Sequence, residues 1–201
     1  ITIDVYSNKT LTYSGTAINV GANTITLSGG GSLASGGITL NDAQSKLLLN
    51  SITLDSASTS ANSLGVDVDE TSTVTSLTVG HTTPVSIAGG KTLSGAVTVT
   101  AGSIKLGETG TLASNITMSG GTLEADETLI ISGALSHTAD ITIDVAENKT
   151  LTYSGTAINV GANTITLSGG GILVSGGMTL NDAQSKLLLN SITLDSASTS
   201  A

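Results

Sequence analysis

The sequence predicts an all-β fold, a parallel β-solenoid of about ten coils with about 20 residues in each. Three observations predict it. Short apolar–polar alternations such as Val97-Thr98-Val99 and Ile116-Thr117-Met118 are broken by Gly, Ser and Asn, the pattern of short half-buried strands. Aliphatic anchors recur in three columns along the whole chain. The 38% hydrophobic content is almost all Ile, Leu, Val and Ala, with no Phe or Trp, which suits a narrow interior of stacked aliphatics better than a β-sandwich core.

The first column reads Ile18, Ile38, a gap at Ala57, Leu77, Val97, Ile116, Leu135, Ile158 and Met178. The second reads Ile3, Ile25, Leu47, Val66, Val85, Ile104, Leu123, Ile143, Ile165 and Leu187. The third reads Leu11, Leu33, Leu54, Val74, Leu93, Leu112, Ile131, Leu151, Leu173 and Leu194. Columns that hold step across 201 residues leave no place for a linker, so the chain reads as one continuous solenoid domain, 1–201.

A longer repeat lies over the short one. Residues 141–201 restate residues 1–61, an offset of 140, with changes only at Tyr6/Ala146, Ser7/Glu147, Ser32/Ile172, Ala34/Val174 and Ile38/Met178. The reading is a window on a longer tandem array. The segment YSGTA after Thr12 is expected to protrude as a loop, and NDAQSK from Asn41 to turn a corner. GGGSLASGG supplies tight turns and is not a phosphate loop, since no Lys-Ser/Thr pair follows it.

Fifteen acidic and six basic residues give a net charge of −9, and every basic residue is Lys. An acidic chain with no basic stripe argues against nucleic acid as a partner. No apolar run reaches the length of a membrane-spanning helix. With no Cys there is no disulfide framework, which is neutral on compartment.

Candidate chemistry is sparse. VDVDE carries Asp67, Asp69 and Glu70, and EADE carries Glu124, Asp126 and Glu127. Such oxygen-rich clusters suit Ca²⁺, with Asp67, Asp69 and Glu70 as the metal candidates, although solvated acidic corners are the favoured reading and no cofactor is expected. His137 falls where other coils place inward Val79, Val99 and Met118, and the only other histidine, His81, is read in a distant turn. No general base–nucleophile constellation surrounds it, so no enzyme is expected. Outward Thr39, Thr78, Thr98 and Thr117 bring an ice-binding array to mind, but only one coil carries Thr-x-Thr there, and strand propensity accounts for the row. Ser32 and Ala34 flank an inward leucine, so Ile172 and Val174 in the second copy are expected on the outer surface as a lateral contact.

The glycine-punctuated phrases ITLSGG and TLSG resemble the passenger β-helices of autotransporters and filamentous-haemagglutinin-like surface adhesins. The resemblance is one of style over the whole chain. It implies a right-handed three-faced helix, export to the cell surface or beyond it, and a role in adhesion or as a stalk. The expected function is a structural repeat of an exported fibre, stalk, filament or sheath, its partners copies of itself stacked end to end or along a fibre. The alternative is an adhesin that binds a glycan or host protein through its outer face.

Overall fold

The computed structural model of the chain describes residues 1–61, 65–107 and 109–200. Every regular element among them is a strand, and every strand pairing is parallel. The strands stack as a β-solenoid of about nine turns with about 20 residues per turn. No helix is long and apolar enough to cross a membrane.

Each turn contributes a stretch to each of three faces, and the strands Thr53–Ala61, Ser72–Ile87 and Thr92–Gly107 run through more than one of them. On the first, Ile18 pairs with Ile38, Ile38 with Ser58, Ser58 with Leu77, Leu77 with Val97, and Val97 with Ile116. The apolar gap therefore falls on Ser58 and not on Ala57. Alternation explains this: residues on either side of an inward position point outwards, and the strand runs Thr53–Ala61 without interruption. Ser58 is buried, and its hydroxyl has no partner among the described residues.

Alternating residues fill the core as expected. Leu47, Leu49, Leu77, Val79, Leu112 and Ile116 are buried, along with most of the anchors. What differs is which anchor meets which. On the second face Ile3 stacks on Leu27, Val85 on Leu106 and Ile143 on Leu167, in place of Ile25, Ile104 and Ile165. On the third face Val74 meets Gly95 instead of Leu93, and Ile131 meets Tyr153 instead of Leu151. Each slip is two residues, so inward side chains stay inward. Gly95 shows the physical cause of one slip. Its φ is +119°, and a Cβ there would lie 1.7 Å from the Val74 carbonyl oxygen, so only glycine lets the strands approach at this register.

The corners repeat between the copies. Asp42 accepts the Gln44 N–H and its own N–H donates to Ser45 Oγ, while Ser45 Oγ donates to the Gly21 carbonyl of the turn before. Asp182, Gln184, Ser185 and Gly161 make the same set. NDAQSK is thus a hydrogen-bonded corner. Asn8 and Asn148 take the left-handed conformation (φ 61° and 62°), which asparagine tolerates better than most residues. Residues 13–17 form the loop expected from YSGTA, between Thr10–Thr12 and Ile18–Asn19.

Candidate functional site

The acidic run VDVDE lies in the strand Gly65–Glu70, where Val66 and Val68 face the core and Asp67 faces out. Asp67 pairs with Lys46, and Glu70 Oε2 accepts Lys91 Nζ at 2.6 Å. Asp69 is exposed beside them. Two of the three carboxylates therefore already neutralise a lysine one turn away. No group of three or more His, Asp or Glu able to hold a metal occurs among the described residues.

EADE behaves alike. Asp126 pairs with Lys105 at 2.7 Å and Glu127 with Lys149. The hydrogen bond from Lys105 to Asp126, and then the Asp126 charge, hold the Lys105 ammonium above its ordinary range against a small desolvation cost. The four ion pairs among the described residues link successive turns, on outer positions where water screens them.

His137 ends the first-face strand Leu135–His137 and stacks on Met118, the inward slot expected for it. It is half-buried, with Nδ1 3.0 Å from the Ala139 carbonyl oxygen and Nε2 3.1 Å from that of Asn159. His81 lies in a strand opposite Gly102, not in a turn. Tyr153 is the residue that sequence reasoning passed over. Its hydroxyl accepts the Leu135 N–H at 3.1 Å, and its ring folds back over Gly155, where a Cβ would meet ring atoms at 2.6 Å. Together Tyr153 and His137 bridge a seam: Leu135–His137 forms no strand ladder with Ile158–Asn159, which opens a separate three-stranded sheet. The available signal was the tyrosine itself, one of three in a chain without Phe or Trp, standing at the end of the core strand Thr150–Tyr153 and two residues before a glycine.

Shallow grooves mark the outer surface of the described residues. One of about 440 Å³ is lined by Thr122, Asp140, Thr142, Thr166 and Lys186. Asp140 already accepts the Thr164 N–H at 2.7 Å, and the first-copy equivalent of Lys186, Lys46, is held by Asp67. Another, about 200 Å³, lies among Ser51, Thr53, Thr71 and Thr73. Neither brings a nucleophile to a base.

Ile172 and Val174 both face outwards on the third face, Ile172 exposed and Val174 half-buried, with Thr150 and Thr152 as their neighbours one turn before. Exposed Ile130 stands next to Thr152 in the same outer rows. No protein family, no curated protein and no solved structure matches the chain.

Proposed function

We propose that the chain is part of a non-enzymatic shaft, a structural repeat of a fibre, stalk, filament or sheath carried outside the cell, whose partners are further copies of the same 140-residue unit. The observation that carries this reading is the pair of copies. Residues 141–153 bury Leu151 and Tyr153 beneath the preceding turn, whereas Leu11 and Tyr13, in the same sequence, are exposed. Lys149 meets Glu127, while Lys9 has no ion pair among the described residues. On the opposite side Leu47 and Leu49 are buried, Lys46 meets Asp67, and Leu189 is exposed. Each bare surface is thus one that the chain covers elsewhere, with residues taken from its own period.

A shaft needs rigidity along one axis and regular side-by-side contacts between turns. Stacked parallel ladders supply both, because each turn is stable only against its neighbours. Export to the cell surface, and kinship with autotransporter or filamentous-haemagglutinin-like β-helices, rest on the style of phrases such as ITLSGG. A second reading, an adhesin that takes a glycan or host protein on its outer face, draws on the threonine-lined groove beside Asp140.

Chains carrying one and two further 140-residue periods test the proposal. Electron microscopy should show rods that lengthen by about 34 Å per period, seven turns at about 4.8 Å. Antibodies to the chain should label intact cells. Particles whose length does not grow with added periods, or antigen reached only after lysis, would overturn it.

A further inference from the structure

Charge is distributed unevenly around the solenoid. The strands of the first face include Ile38–Leu40, residues 57–61, 76–80 and 96–101, and Asn115–Met118. Among the described residues no acidic residue and no lysine lies in these first-face stretches, where His137 is the titratable group; Asp55, His81 and Lys105 belong to the same long strands but lie beyond the stretches. The four ion pairs among the described residues stand on the other two faces and the corner between them.

The outer relief of this face is regular. Positions 39, 59, 78, 98 and 117 follow one another in backbone register, and Thr39, Thr78, Thr98 and Thr117 make a central ridge. Two residues before these positions come Gly37, Ala57, Ser76, Ala96 and Asn115, of which Ala57, Ser76 and Ala96 form a shallow furrow. The hydroxyls of Thr100, Thr117 and Ser119 are already occupied. Ser119 Oγ donates to the Thr100 carbonyl at 2.8 Å, Thr100 Oγ1 to the Val79 carbonyl at 3.3 Å, and Thr117 and Ser136 bond each other at 3.2 Å. A hydroxyl that keeps its hydrogen bond is cheap to remove from water, and what it leaves outward is methyl surface.

We propose that this charge-free face is a self-docking surface, on which a second copy of the chain packs face to face. Its threonine ridge would lie in the furrow over Ala57, Ser76 and Ala96, so that Thr98 meets the partner's Ala96 and Ala96 meets the partner's Thr98. A two-fold contact requires that reciprocity. Two chains of net charge −9 repel overall, and contact on this face covers no carboxylate. Six turns at about 4.8 Å by five residues at about 3.3 Å give on the order of 470 Å² per copy. That totals close to the roughly 1,000 Å² at which specific contacts begin, so one chain forms a weak dimer and added periods strengthen it. The inference goes beyond the shaft reading and does not depend on end-to-end stacking.

Sedimentation equilibrium of the intact chain tests it. The wild type should dimerise reversibly, more tightly as ionic strength rises, because salt screens only the repulsion. Thr78→Lys with Thr98→Lys should weaken the dimer at least tenfold. Thr73→Lys with Ser94→Lys, the same charge on the third face, should change it less than twofold. Ile1→Asp with Ile3→Asp, which blocks axial docking, should leave the dimer intact and so separates this contact from end-to-end assembly. In a chain without cysteine, Thr98→Cys offers a second readout: maleimide labelling should slow as concentration rises, and labelling of Ser94→Cys should not. A wild type that stays monomeric, a third-face pair as disruptive as the first-face pair, or equal labelling at both cysteines would overturn the proposal.

Discussion

Residues 1–61 and 141–200 are nearly the same sequence in two settings. The first copy has its early strands bare and its late strands covered, and the second has the reverse. Tyr13 is 47% exposed and Tyr153 only 3%, although both rings fold back on a glycine in the same way. Leu49 is fully buried, whereas Leu189 is 59% exposed. The local conformation is therefore written in each copy, down to the left-handed asparagines at 8 and 148. Burial is not. It belongs to the stack, and the same leucine is core or surface according to whether another turn lies on it.

The comparison can be broken most forcefully in the core. Leu49→Asp puts a charge where nothing pairs or solvates it and should cost on the order of 4 kcal/mol. Leu189→Asp, the same change in the other copy, should stay within about 0.5 kcal/mol. Urea denaturation of the two variants measures the difference, and equal losses would refute the idea that stacking confers burial. A smaller effect separates the tyrosines. Tyr153→Phe removes the acceptor of the Leu135 N–H and should cost about 1–2 kcal/mol, whereas Tyr13→Phe should be close to neutral. Thermal melts of both variants, with hydrogen exchange at the Leu135 amide, read this directly.

Smaller still is the ion-pair contrast. Lys149→Ala loses the contact with Glu127 and should cost about 0.2–1 kcal/mol, and Lys9→Ala should cost nothing measurable. A double-mutant cycle with Glu127→Ala isolates the coupling. Least of all is the pH effect at Lys105. Its ammonium is held above the ordinary range by Asp126, so this stabilisation is complete below the unfolded-state value of about 10.5 and fades as pH rises through the higher folded-state value. The pair is more than a third exposed, so screening limits it to a few tenths of a kcal/mol. The melting difference between wild type and Lys105→Gln should be flat from pH 7 to about 10 and shrink above that.

What could be read in advance follows from the reach of each signal. Inward and outward facing depends on alternation over three or four residues, so Leu112, Ile116, Ser32 and Ile172 all stand where their neighbours imply. Register depends on how many residues a corner consumes, and similar glycine-rich phrases close turns of different length. Ile3 meets Leu27 across 24 positions, while Val66 meets Val85 across 19. Column counting averages over that difference and misses slips of two. The empty slot moved from Ala57 to Ser58 because a small polar residue in a core position leaves no apolar mark. Pairing between turns was no more legible: the carboxylates at Asp67 and Glu70 read as a cluster in sequence, yet each faces a lysine about twenty residues away.

The seam at Leu135–His137 has a mechanical consequence. Elsewhere a load along the rod is shared by three continuous ladders of backbone hydrogen bonds, which act as springs in parallel. At the seam one of the three is replaced by two side-chain links, Tyr153 to Leu135 and His137 to Asn159. Fewer springs across one gap mean a softer joint, and bending strain collects at the softest joint of a stiff beam. Repeated every 140 residues, such a joint would give a long shaft a built-in flexure spacing and fix where it yields first, with the intervening turns left straight.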